Sequence, residues 1–273
     1  MPKNQQIQNS SIVILGTARN VSKYIHKSVD SLLRIGSYFK ECNFIVVESY
    51  SSDATLESLN ELAKKYSNFQ FVSLKPIQPM PTLSVRIAEA RNVGLHLAKD
   101  KFPNVDYVFV ADLDKVNWDL KLEGILSCWN YENWDMMSAN QGFRYYDIWA
   151  LRHPILSPGD CWRNVEYLER YFPRKVARKI GFKNRVIKIP ANSKPIEVIS
   201  AFGGFSIYSS NLYFQSQYSG IDDNGNEICE HVPMNMKMLS LGSKMFINPA
   251  MINLSRNRQI SGMIKTYLRF LKF

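Results

Sequence analysis

"DYVFVADLD", residues 106–114, joins a β-branched and aromatic run to two carboxylates one residue apart, Asp112 and Asp114. The run has the composition of a strand buried on both faces. Acids at i and i+2 just past a buried strand repel one another unless a cation is shared. Hard carboxylate oxygens suit Mg2+ or Mn2+, which keep positions open for phosphate oxygens. On spacing alone, a solvated turn at the strand end accounts for the two acids equally well.

Upstream, strands and helices alternate. "SIVILGTARN" (11–20) is an aliphatic run ending in a loop, and the helix after it puts Ile25, Val29, Leu32 and Leu33 on one face, with Gly36 as its cap. "NFIVVESYSSDAT" (43–55) gives a second strand and a Ser/Asp turn, followed by a helix spaced by Leu56, Leu59, Ala63 and Tyr66. "FQFVSL" (69–74) is a third strand, and "VRIAEARNVGLHLAKD" (85–100) the helix before the acid-tipped one. Alternation of this kind predicts an α/β fold with a mainly parallel sheet flanked by helices. Ligands of such sheets bind beyond the carboxyl ends of the strands, which brings Thr17–Asn20, Glu48–Asp53 and Asp112–Asp114 together. Further on, strands are expected over Trp134–Ala139 and Ala201–Tyr208, the latter broken by Gly203 and Gly204, and a helix over His231–Leu241. With no repeat or linker, residues 1–255 form one domain with an elaborated C-terminal half, followed by a tail at 256–273.

The 273 residues are 45% hydrophobic and carry a formal charge of +10, enough for a sizeable core and favouring a polyanionic partner. Cys42, Cys128, Cys161 and Cys229 are scattered, which fits a reducing compartment. The polar N-terminus lacks a signal-peptide pattern and no window is apolar enough to span a bilayer, so a cytoplasmic location is expected. Eight basic residues and no acid lie between Arg170 and Lys188. The tail "ISGMIKTYLRFLKF" (260–273) sets Ile260, Ile264, Tyr267 and Leu271 opposite Lys265, Arg269 and Lys272. That is the pattern of a helix lying in a membrane interface, or of one docked on its own domain. Peripheral contact with the cytoplasmic face of a membrane follows from the first alternative.

Four segments appear in one order: "ILGTARN" (14–20), "VVESYSSDAT" (46–55), "EARNVGL" (89–95) and "VADLD" (110–114). Together they resemble the GT-A class of nucleotide-sugar glycosyltransferases, a Rossmann-like fold. "FRYYDIWALRHP" (143–154), "AFGGFSIYSSNLY" (201–213) and "CEHVPMNMKMLSLGSKMFINPAMI" (229–252) are similar to the capsule-associated α-1,3-mannosyltransferase-like family. The resemblance implies metal-dependent, retaining transfer of a hexose (mannose or similar) in surface or capsular polysaccharide synthesis. The donor would be a GDP- or UDP-hexose, the acceptor a glycan or lipid-linked glycan, and the cofactor Mn2+ or Mg2+.

With that resemblance, Asp114 is the first candidate metal ligand, Asp112 meets the metal or the donor sugar, and His231 is the third ligand or else a histidine packed beside Pro233. Thr17, Arg19, Glu48, Asp53, Arg91, Gly203 and Gly204 are donor-side candidates. Asp53 equally caps the next helix, and Arg91 braces the acids or pairs with Glu89. Glu230 is the second catalytic candidate beside Asp112, as cation stabiliser or acceptor ligand, or an ordinary acid at a helix start. Asp147, Trp149 and Arg152 form an acceptor wall or an aromatic core with an internal ion pair. A nucleotidyltransferase is the nearest enzymatic alternative, but no Gly-rich phosphate loop follows the first strand. A nucleic-acid-binding protein is the non-enzymatic one, yet no recognition motif accompanies the basic stretch, so no nucleic-acid partner is expected.

Overall fold

The computed structural model describes residues 7–75 and 82–260. The N-terminal half holds β1 (Ser11–Ala18), β2 (Glu41–Ser49), β3 (Phe69–Leu74) and β4 (Tyr107–Asp112), linked by α1 (Ile25–Gly36), α2 (Thr55–Lys65) and α3 (Leu83–Lys101). All three strand pairs among these four are parallel. The period of two in a strand explains the continuous aliphatic runs. Ile12, Ile14, Phe44, Val46 and Phe109 pack with Val29 and Leu32 of α1 and Leu59 and Leu62 of α2. Val13, Leu15, Ile45, Val108 and Val110 face the other way, toward Ala88, Leu95 and Ala98 of α3. The sheet is therefore covered on both sides. Besides Arg91, α3 buries mostly small side chains, Ser84, Ala88, Ala90, Gly94 and Ala98, and so lies close to the strands.

The second half completes one eight-stranded sheet in the order β3-β2-β1-β4-β7-β5-β8-β6, with β5 (Met136–Gln141), β6 (Ile196–Glu197), β7 (Phe205–Ser209) and β8 (Met245–Leu254). β7 runs antiparallel to both β4 and β5, β8 parallel to β5, and β6 antiparallel to β8. Further helices are α4 (Leu122–Leu126), α5 (Cys161–Glu169), α6 (Arg174–Gly181), α7 (Ser210–Tyr213) and α8 (His231–Ser240).

Several sequence expectations shift. β5 begins at Met136 because Trp134 instead joins an aromatic cluster, its ring 5.8 Å from Tyr107 and 5.4 Å from Trp129. β7 begins at Phe205 because Gly203 and Gly204 adopt φ of +70° and +88°. β8 was not expected: Pro249 interrupts its pattern, and its register against β5 shifts nearby. Gly36 is not a left-handed cap but the last helical residue, and a Cβ there would run into the Cys42 sulfur. In α2, Leu62 rather than Ala63 continues the buried face. The tail expected to be amphipathic falls largely on 261–273, outside the described residues. Among the described residues no helix is long and apolar enough to cross a membrane.

All four cysteines are unpaired thiols. Burial pushes Cys42, Cys128 and Cys161 up to about 12 and raises Cys229 well above its ordinary value. Since the thiolate is the reactive form, Ellman's reagent at mildly alkaline pH titrates no thiol in the native chain and four after denaturation. A native titre of one or more contradicts this.

Candidate active site

Strand register decides which loops meet. Thr17 pairs with Asp112 across β1 and β4, and Ala18 with Glu48 across β1 and β2. The loops after β1 and β2 are then sewn together by side chains. The Asn20 N–H donates to Ser51 Oγ at 3.0 Å, and Asn20 Oδ1 accepts from the Ser52 N–H at 2.8 Å. Asp53 accepts from the Ser22 hydroxyl at 2.7 Å and, with its other oxygen, from the Thr55 N–H at 3.1 Å. It thus ties the start of α2 to the first loop. Glu48 is fully buried, accepting from the Ser51 N–H at 2.6 Å and the Ser73 hydroxyl at 2.5 Å. Thr17 and Arg19 are half-buried in the same place.

At the centre lies a buried charge cluster. The close-packed face of α3 delivers Arg91, whose Nε donates to Glu230 Oε1 at 2.9 Å and whose Nη2 donates to Asp112 Oδ1 at 3.0 Å. The Arg91 and Glu230 side chains are 5% and 8% exposed, so both charges are held almost out of water. Such a pair is tolerable only because each charge is met by the other. Burial opposes the Arg91 charge, but Glu230 and Asp112 outweigh it and raise the guanidinium further. The Phe202 and Tyr218 rings flank it, centroids 4.9 and 5.9 Å from the guanidinium carbon. Arg91 thus bridges Asp112 to Glu230, where the sequence suggested the Asp112–Asp114 pair or Glu89.

Asp112 is pushed up to about 7 by burial, against the pull of Arg91, with Asp114 and Glu230 adding to the rise. Its side chain keeps 41% of its surface open, so solvent offsets part of the burial that drives the rise. Asp147 is likewise raised by burial, opposed by the Gly203 N–H that donates to it at 2.8 Å, with Glu230 adding to the rise. The Tyr146 hydroxyl is raised by burial and then by Asp147, Asp112 and Asp114. Four carboxylates, Asp112, Asp114, Asp147 and Glu230, therefore share a region into which Arg91 brings one bonded positive charge.

Asp114 is exposed at the rim. Its Oδ1 accepts from the Val116 N–H at 2.8 Å, capping the short turn Lys115–Asp119, and its carbonyl accepts from the Ser28 hydroxyl of α1 at 2.8 Å. Gly203 and Gly204 cross beneath. The Gly204 carbonyl accepts from the Asp112 N–H at 2.9 Å and from Asn117 Nδ2 at 2.8 Å; the Gly203 carbonyl accepts from Gln141 Nε2 at 2.9 Å and Asn253 Nδ2 at 2.8 Å. A Cβ on Gly203 would sit 2.5 Å from the Ala139 carbonyl oxygen, in a backbone conformation L residues rarely adopt. Gly203→Ala is expected to destabilise the fold by about 2–3 kcal/mol, measured by urea unfolding. A variant within 0.5 kcal/mol of wild type, roughly the scatter of neutral surface changes, contradicts the strain.

The remaining candidates divide: His231 lies beside the cluster, its Nε2 3.3 Å from Glu230 Oε1, while Trp149 and Arg152 turn to another carboxylate. His231 is buried, its ring stacked on Phe202 at 3.7 Å; burial, then Arg91, hold it neutral. Trp149 Nε1 and Arg152 Nη2 both donate to Asp160 Oδ2, at 3.0 and 2.9 Å, and Asp160 also caps α5. Among the described residues no three His, Cys, Asp or Glu side chains form a group ready to hold a metal.

Sequence reasoning missed Tyr146, Asn117, Gln141, Asn253 and Asp160. The last had a signal, an Asp just ahead of a helical run. Asn117, Gln141 and Asn253 bond backbone carbonyls remote in sequence, which no local pattern reveals.

Among solved structures, the mannosyltransferase PcManGT from Pyrobaculum calidifontis, in complex with GDP-Man and Mn2+, matches with TM-score 0.53 and 12% identity over 90% of this chain and 57% of that one. S. aureus TarS 1-349 in complex with UDP-GlcNAc matches with TM-score 0.51 and 16% identity over 87% of this chain and 55% of that one. The chain thus spans little more than half the length of either, and at these identities the likeness is one of fold. No curated protein matches the sequence. The profile of Glycosyl transferase family 2 matches residues 11–193, over half the sequence, and the chain belongs to that family.

Proposed function

We propose that the chain transfers a hexose, mannose or a close relative, from a nucleoside diphosphate sugar to a glycan or lipid-linked glycan acceptor in surface or capsular polysaccharide synthesis. The acid cluster at the carboxyl edge of the sheet is the observation that supports this. It gathers four carboxylates about the Arg91 guanidinium, and the hydrogen bonds to the Asp112 and Asp114 side chains fall on their Oδ1 atoms. Two hard oxygens beside excess negative charge fit Mn2+ or Mg2+, with the remaining positions left to diphosphate oxygens and water. A bound ion would neutralise the charge that grows on the leaving diphosphate.

The chain's own residues do the rest. Thr17, Arg19 and the sewn loops carrying Glu48 and Asp53 form the wall for the nucleoside, with Glu48 acting through the Ser51 turn it holds. Arg91 fixes the direction of Asp112 and Glu230. Gly203 and Gly204 let the donor sugar approach the backbone, and Asp147, held by the Gly203 N–H, faces the acceptor side. His231 keeps Phe202 against Arg91, leaving the ion to the two aspartates. Proteins of like fold were solved with GDP-Man and Mn2+ and with UDP-GlcNAc, so the donor is a GDP- or a UDP-hexose.

A panel of nucleotide sugars with Mn2+, scored by thermal shift and by released nucleotide, tests the proposal. Free nucleoside diphosphate is expected; pyrophosphate would mean nucleotidyl transfer instead. The retention expected from the subfamily resemblance is checked by the anomer of the product. An inverted product would assign Glu230 the proton of the acceptor hydroxyl, since inversion needs a carboxylate base.

A further inference from the structure

Between β5 and β7 the chain makes a long excursion that contains α5 and α6. The two helices close on one another at Gly181, where a Cβ would lie 2.8 Å from the Val165 side chain. The opposite side is bare. Tyr167, Tyr171, Phe172, Val176 and Ile180 are 54%, 66%, 44%, 39% and 43% exposed, far more than bulky apolar side chains in one short stretch usually are. Spacing by four puts Val176 and Ile180 on one stripe of α6, with Lys175 and Lys179 on the stripe beside it. At the end of α5 the Tyr167 ring lies 5.6 Å from that of Tyr171, just past the helix, and 5.7 Å from the Arg170 guanidinium carbon. Residues 161–188 carry nine basic and two acidic side chains, and one of those acids, Glu169, lies 3.4 Å from Arg174.

Charge decides what can cover this face. A second copy would bring the same cations against it. The chain's own tail carries Lys265, Arg269 and Lys272, charges of the same sign. Nucleic acid satisfies the cations and stacks bases on aromatic rings, but Val176 and Ile180 offer no ring to stack on. An anionic bilayer satisfies all three classes: aliphatics at the acyl boundary, tyrosines at headgroup level, lysine and arginine on the phosphates.

We propose that the α5–α6 face docks the protein on an anionic lipid bilayer. Docking stands independently of the proposed function. If that function holds as well, the excursion that grips the membrane also carries Asp147, so a lipid-linked acceptor would reach the acids from the bilayer side.

The full chain is sedimented with phosphatidylcholine vesicles and with vesicles of mixed phosphatidylcholine and phosphatidylglycerol. It is expected to bind the mixed vesicles and not the neutral ones. Each basic residue near such a surface is worth roughly fivefold, so Lys175→Ala/Lys179→Ala lowers partitioning about 25-fold. Val176→Ser/Ile180→Ser lowers it roughly tenfold through lost apolar insertion. These positions are exposed, so both variants keep the wild-type melting temperature. Tyr171→Cys carrying an environment-sensitive fluorophore reports the face directly, because the native thiols are held unreactive by burial. Its emission shifts to the blue with mixed vesicles. Wild-type partitioning by both double variants, or no spectral shift while the protein sediments, overturns the proposal by assigning binding to another surface. So does a spectral response to a single-stranded oligonucleotide that vesicles fail to produce.

Discussion

Asp114→Asn is expected to abolish the rise in melting temperature that a nucleotide sugar with Mn2+ gives the wild-type chain, and to lower turnover by roughly a thousandfold. Asparagine is the informative replacement. Its side-chain oxygen can still accept from the Val116 N–H, so the cap on the Lys115–Asp119 turn survives and the apo melting temperature stays put. Only the charge and the hard anionic donor are lost. Asp114→Ala removes the cap as well, adding about 1 kcal/mol of destabilisation that calorimetry of the apo protein separates from the ligand effect. If the asparagine variant responds to donor and Mn2+ as wild type does, the ion is not held at the end of β4 and the proposed site is wrong.

Arg91→Met carries the largest expected cost to stability. Methionine has similar length and fills the space between Phe202 and Tyr218, so the effect is one of charge rather than of a cavity. Glu230 and Asp112 would then face each other without the guanidinium that bridges them at 2.9 and 3.0 Å. Breaking a buried ion pair by removing one partner costs about 3–5 kcal/mol. For a chain of this size that lowers the melting temperature by roughly 10 °C. Arg91→Lys keeps the charge but not the fork that reaches two carboxylates, and should fall between the two. Arg91→Met/Glu230→Met removes both buried charges and recovers part of the loss. A single variant as stable as wild type would mean the cluster is satisfied by water and not by Arg91.

How much of this was legible follows from the range of the interactions involved. β1 to β4 and the helices between them are written in the sequence because each strand is buried on both faces and each crossover helix has one apolar side; both patterns are local. Asp112 and Asp114 could be placed at a sheet edge for the same reason. β8 was hidden because its pairing depends on β5, more than a hundred residues away, and tolerates Pro249 where the register slips. Asp112 could be read as a partner of Arg91 but Glu230 could not, since it reaches the guanidinium only after folding has brought the start of α8 to α3. Trp149 and Arg152 take the second of their two readings, an internal ion pair, but its acid is Asp160, eight residues from Arg152, and not Asp147.

The reversed direction of β7 also has a bearing on how such a protein changes over generations. The chain leaves the carboxyl edge after Gln141 and returns to that same edge at Gly203, where the Gln141 amide itself grips the returning backbone. The intervening segment is thus clipped at its root. Recombination can exchange or lengthen it without shifting the register of β1 to β4, so the two rims of the cleft are inherited as separable parts.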